Sequence, residues 1–237
     1  VNMGGIAKGS GMIHPNMATM LAFIVTDVAI EPKLLQKSVK KAVDKSFNMI
    51  TVDGDSSTND MVAVLANGLA ENNVLKTTKD QGYQEFQKNL EDMMIHLAKQ
   101  IVSDGEGASK FIQYEVVNAP TQQIARTLIR EISDSTLVKT AMYGRDPNWG
   151  RIMAAAGNAG VPFNYEECDL YLGSDTQFLK VLEKGVPQEF NRNFMKKLLR
   201  ESHIHIKLDL NDGKSKATGW GSDLTTDYVV FNSVYTT

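Results

Sequence analysis

A chain of 237 residues, 42% hydrophobic and 22% charged, has the makeup of an ordinary globular protein and can bury a sizeable core as one large domain or two small ones. A formal net charge of −3 provides no basic surface for nucleic acid. One cysteine excludes an internal disulfide framework and fits a reducing compartment, so a cytoplasmic location is expected, and the longest apolar run, residues 20–25, is far too short to span a membrane.

The first informative stretch is GGIAKGSGMIHPNMATML, residues 4–21. Its glycines free the backbone to bend, Pro15 and Asn16 are turn residues, and an apolar run from Met20 follows that predicts a buried strand to Ile30. The pattern delivers the Thr19 hydroxyl to a strand entrance behind the small residue Ala18. A threonine so placed can attack the peptide bond before it, and water then releases a chain headed by Thr19. The freed α-amine, with a reference pKa of about 7.7–8.0, would serve as base for the hydroxyl on the same residue. The plain alternative is a β-forming threonine at a strand entrance. GGIAKGSG is not a P-loop, because its lysine precedes a glycine, whereas a P-loop requires glycine–lysine–serine/threonine.

Further along, Pro32 suits a first helical position, and Leu34, Leu35, Val39, Ala42, Val43 and Phe47 recur at helical spacing. DGDSSTND, residues 53–60, is a polar loop lacking the glycine and distal glutamate of an EF-hand; Ser57 or Thr58 would cap a helix over residues 60–67. Residues 83–103 form a long amphipathic helix. In DGEGA, residues 104–108, glycines on both sides of Glu106 present its carboxylate from an exposed turn, whose alternative reading is a solvated acidic loop. A strand over 110–118 and a helix over 121–132 follow, and the alternation argues α/β construction.

YGRDPNWGR, residues 143–151, either recognises an anion through its arginines or holds its own loop together; the structural role is preferred. It leads into a small-residue helix at 152–157. Cys168, beside Glu166 and Glu167, is expected to be structural. Residues 168–172 and 177–182 form paired strands, and 189–200 a helix with Phe190, Phe194, Leu198 and Leu199 inward. Residues 203–210 alternate as a half-buried strand. His203 and His205 share its polar face with no third metal ligand evident, so no metal site is assigned. Asn211-Asp212-Gly213 signals a hairpin returned by residues 215–220.

KGSGMIHPNMATML at 8–21 resembles the autoprocessing segment of the ornithine acetyltransferase family, the glutamate N-acetyltransferases of arginine biosynthesis. DGDSSTND, DGEGASKF at 104–111, YGRDPNWGRI at 143–152 and residues 228–237 resemble the same family in the same order. Ser57 and Met61 depart from its pattern conservatively. The resemblance implies an α/β fold of layered sheets between helices, like the N-terminal-nucleophile enzymes but differently connected. It implies self-cleavage between Ala18 and Thr19, dividing the chain into residues 1–18, the tail of an upstream α segment, and 19–237, a β chain. Thr19 would be the nucleophile, and Lys8, Thr19, Glu106, Asn232 and Thr237 would bind substrate. The activity implied is acetyl transfer from N-acetylornithine to glutamate without a cofactor, with acetyl-CoA a donor for some members. The partner implied is the upstream α segment, carrying a threonine–glycine oxyanion hole, in an α2β2 assembly. The rival readings are an amidohydrolase or aminopeptidase with an N-terminal threonine, and a non-catalytic structural relative.

Overall fold

The computed structural model describes residues 1–14 and 20–234, which divide into two compact units. Residues 1–50 and 55–101 form the first, and 51–54 with the residues from 102 onward form the second.

The first unit is built on a three-stranded sheet in the order β1 (Met3–Lys8), β2 (Leu21–Thr26), β4 (Met61–Ala66). The second strand pairs antiparallel with the first and parallel with β4. Two helices accompany it, α1 (Pro32–Val43) and α2 (Tyr83–Ser103). Tyr83, Phe86, Leu90, Met94, Leu97 and Ile101 are buried along α2, the stripe that spacing predicts for a helix against a core. Ser38, Tyr83 and Gln87, polar groups taken into this core, satisfy one another. The Ser38 hydroxyl lies 3.0 Å from that of Tyr83, which donates to Gln87 Oε1 at 3.1 Å, and Gln87 Nε2 donates to the Ser38 carbonyl at 3.3 Å.

Two expectations fail here. The glycine-rich start is a strand through Lys8, with Gly5 packed against Met93 and Leu97. Residues 61–66 are strand β4 and not the expected helix over 60–67. Six residues are too few for a stable isolated helix, and Val62 and Val64 suit the ladder that β2 offers.

The second unit holds most of a seven-stranded sheet in the order β3-β10-β5-β9-β6-β7-β8. Its strands are β3 (Ile50–Thr51), which straddles the division between units, then β5 (Phe111–Ala119), β6 (Asp169–Ser174), β7 (Phe178–Glu183), β8 (Val186–Pro187), β9 (His203–Asp209) and β10 (Ser215–Ser222). Helix α3 (Gln122–Asp134) packs on β5 and β10, with α4 (Thr136–Tyr143) and α5 (Trp149–Asn158) packed on α3. A short α6 (Arg192–Leu198) touches β6, and α7 (Thr226–Val234) is the last described element. Sheets and helices thus form layers, the mixed α/β class expected.

Strand β9 is half-buried as its alternation requires, but it does not form a hairpin with β10. Strand β5 lies between them, parallel to the first and antiparallel to the second. The 211–213 turn passes over the end of β5, where a Cβ on Gly213 would sit 2.2 Å from the Ala119 carbonyl oxygen. A second correction concerns α6. It is shorter than expected, and Phe194 is exposed while Met195, Leu198 and Leu199 are buried.

Candidate active-site residues

The expected site residues fall on both units and on stretches outside the description. Ala18, Thr19 and Thr237 lie outside the described residues. Lys8 ends β1 in the first unit, exposed and opposite Leu21 of β2. Glu106 and Asn232 belong to the second unit, which brings them together: Asn232 Nδ2 donates to Glu106 Oε2 at 3.2 Å and to the Tyr228 carbonyl at 3.0 Å.

That pairing follows from how the 104–109 turn meets α7. Gly107 has φ of +66°, and a Cβ there would stand 2.5 Å from the Tyr228 nitrogen, so only glycine fits. Thr225 locks the approach by donating its hydroxyl to the Gly107 carbonyl at 2.6 Å and accepting the Tyr228 N–H at 3.2 Å. Tyr228 OH in turn donates to Asp53 Oδ2 at 3.1 Å, tying the start of the 53–60 loop to α7. Asp223 fixes the turn's other end by accepting the backbone N–H groups of Ser109 and Lys110, both at 2.9 Å. A half-buried carboxylate on so constrained a turn is suited to recognising an ammonium group.

Beneath these loops lies a group that sequence reasoning did not single out. Lys139 is buried, and its ammonium donates to the Val52 carbonyl at 2.7 Å, the Ser222 carbonyl at 2.6 Å and Ser222 Oγ at 3.4 Å. Burial lowers its pKa to about 8, against the pull of Asp134, Asp223 and Asp53. The apolar spacing of α4 hid it, since nothing in a lone lysine announces that it ties two loops.

In the first unit the notable group is Asp60, which the sequence placed at a helix start. It stands just before β4, and its Oδ1 accepts the backbone N–H of Met20. The Met20 carbonyl accepts the Met61 N–H at 3.0 Å, so consecutive residues hold both backbone groups of Met20. Asp60 Oδ2 is buried with no hydrogen-bond partner among the described residues. Desolvation raises the Asp60 pKa, and the bond from Met20 opposes it.

The remaining motifs resolve as structure. The Asn148 side chain accepts the Arg151 N–H at 3.2 Å and caps α5, and its amide donates to Asp146 at 3.1 Å. Arg151 donates to the Leu137 carbonyl at 3.0 Å, so the 143–151 loop joins α4 to α5. Cys168 is buried, donates to the Asn164 carbonyl at 3.1 Å and has its pKa pushed up to about 12 by burial and neighbouring carboxylates. Asp175 joins the two strand histidines: it pairs with His203 at 3.0 Å and also contacts His205. Among the described residues no three His, Cys, Asp or Glu gather into a group able to hold a metal. No described helix is long and apolar enough to cross a membrane.

Layered sheets with these connections define a known kind of α/β protein. A crystal structure of arginine biosynthesis bifunctional protein ArgJ from Bacillus halodurans matches with a TM-score of 0.87 and 42% identity, over 92% of this chain and 100% of that one. The ArgJ family matches residues 1–237, and the chain belongs to that family. Proteins named arginine biosynthesis bifunctional protein ArgJ are 50% identical over 98% of the chain in Thermotoga neapolitana and 48% identical over its full length in Streptococcus thermophilus. The chain spans 58% of the length of each of these two relatives.

Proposed function

We propose that this chain is the part of a glutamate N-acetyltransferase that carries the nucleophile, moving an acetyl group from N-acetylornithine to glutamate. The observation that carries the reading is the family match along all 237 residues, the 8–21 segment included. In the proposed reaction the chain cuts itself between Ala18 and Thr19. Thr19 Oγ then attacks the acetyl carbonyl, its own α-amine taking the proton, and breaking of the amide C–N bond in the tetrahedral adduct releases ornithine with that proton and leaves an acetyl-threonine ester. The glutamate amine takes the acetyl group and regenerates the hydroxyl. General acid–base help of this kind is worth about 10²–10⁴-fold. An oxyanion hole adds about 10²–10³-fold per donor; it is assigned to the upstream α segment, which the α2β2 assembly would supply.

Lys8 is assigned to a substrate α-carboxylate and Glu106 to an amine, with Asn232 orienting the Glu106 carboxylate. Thr237 is kept as a binding residue on the strength of the resemblance. Acetyl-CoA as donor and a cytoplasmic location belong to the same reading.

Mass spectrometry of the complete protein after exposure to N-acetylornithine tests the proposal. An acetyl group on a peptide beginning at Thr19 is the expected result. An intact 18–19 bond in active protein would overturn it, and hydrolysis of the ester outpacing transfer to glutamate would favour the N-terminal-threonine hydrolase.

A further inference from the structure

Lys139 is a buried cation of the second unit, and the function proposed above gives it no task. An ammonium has three protons to donate and accepts none, and three acceptors meet this one: the Val52 carbonyl at 2.7 Å, the Ser222 carbonyl at 2.6 Å and Ser222 Oγ at 3.4 Å. Each of those carbonyls belongs to a peptide unit, planar from one Cα to the next, that ends at an aspartate. The Val52 unit ends at Asp53 and the Ser222 unit at Asp223. Lys139 also holds the far side of Asp223, since its own carbonyl accepts the Leu224 N–H at 3.5 Å. Ser222 Oγ joins the two segments by donating to the Val52 carbonyl at 3.3 Å.

The two aspartates reach Glu106 by separate routes. Asp223 accepts the Ser109 and Lys110 N–H groups and the Ser109 hydroxyl, which holds the 104–109 turn that carries Glu106. Asp53 accepts the Tyr228 hydroxyl at 3.1 Å, and the Tyr228 carbonyl accepts the same Asn232 amide that donates to Glu106. One ammonium is therefore the common root of the turn that bears the carboxylate and of the helix that orients it.

We propose that Lys139 is a positioning residue for Glu106: by fixing the backbone ahead of Asp53 and on both sides of Asp223, it sets where the carboxylate stands for the substrate amine. This rests on the role given to Glu106 in the function proposed above and adds a residue to it. A buried polar network with every donor used is rigid, which suits a carboxylate that must be held within about 0.5 Å of its working place. No covalent step is assigned to Lys139.

The test measures KM and kcat for N-acetylornithine and for glutamate in the complete protein carrying Lys139→Met, Glu106→Gln or both, each assayed well below its thermal midpoint. Lys139→Met alone is expected to raise both KM values about 3–10-fold with kcat kept within about twofold, less than Glu106→Gln does because the carboxylate is displaced and not removed. In the Glu106→Gln background the same change is expected to raise KM no further, the non-additivity of two residues acting through one contact. Lys139→Gln, whose amide keeps donors for the carbonyls, stands in if Lys139→Met fails to fold; its rise is expected to be smaller and again absent in the Glu106→Gln background. Wild-type KM values in Lys139→Met, or in Lys139→Gln where it stands in, would overturn the inference. So would an equal rise with and without the Glu106 carboxylate, which marks a structural role only. If Glu106→Gln raises KM and the Lys139 variant does not, this inference alone falls; if Glu106→Gln keeps wild-type KM values, or the wild-type protein transfers no acetyl group between the two substrates, the reading beneath it falls as well.

Discussion

The Asn232 carboxamide donates to the Glu106 carboxylate at 3.2 Å, across a turn whose closest approach to α7 is made by Gly107. A neutral donor orients this side chain without placing a competing cation beside it, which suits it to a cationic guest. Under the function proposed above, Glu106→Gln is therefore expected to raise KM for both N-acetylornithine and glutamate more than it lowers kcat. A charge-assisted hydrogen bond is worth about 1.5–3 kcal/mol, which corresponds to about 10–10²-fold. Asn232→Ala removes only the orienting bond and should cost less than Glu106→Gln. Steady-state kinetics on the two variants, with each substrate varied in turn, check the ranking.

Gly107→Ala forces a side chain into a left-handed conformation at φ +66° and against the Tyr228 backbone. The conformation alone costs about 1–3 kcal/mol, and relieving the clash requires α7 to move. A lowered denaturant midpoint together with a raised KM is expected. Tyr228→Phe, which removes the bond to Asp53, should cost about 1 kcal/mol in the same measurement.

Lys139 gives a pH signature. Its pKa is about 8 when folded and 10.5 when free, so between those values the unfolded chain binds the proton that the folded one has released. Stability from this group therefore rises with pH across that window, by up to about 1.4 kcal/mol per unit, and is flat below it. Lys139→Met should abolish the rise and also lower stability at neutral pH, because the Val52 and Ser222 carbonyls lose their donor. Urea midpoints of wild type and variant at pH 7, 8, 9 and 10 check both effects.

Cys168 is sealed in the second unit with its thiol pushed up to about 12, far from the thiolate that reacts. An aromatic disulfide reagent at neutral pH should label it at the rate of local opening, orders of magnitude slower than in denaturant. Prompt labelling of the native protein would contradict its burial.

Elements that settle their structure locally were legible. The α2 stripe from Tyr83 to Ile101 and the alternation of β9 follow from burial on one face. Thr121, read as a helix start, accepts the Ile124 N–H at 3.2 Å as an N-cap. The failures are elements decided by distant partners. Residues 61–66 carry no decisive period, and β2, some 40 residues earlier, made them a strand. The Asn211-Asp212-Gly213 signal is a short-range one, and it yielded to β5 occupying the space between β9 and β10. At the candidate site the Glu106 turn was visible because flanking glycines mark it. Asp60 and Lys139 were not, because what singles them out is a backbone group brought from elsewhere in the chain.

The placement of β5 between β9 and β10 governs the order in which the second unit can assemble. Its neighbours on both sides are made some 80 to 110 residues after it, so during synthesis that strand waits with two raw edges until the 203–222 stretch emerges from the ribosome. A truncated product lacking that stretch would be an adhesive intermediate, prone to pair with strangers.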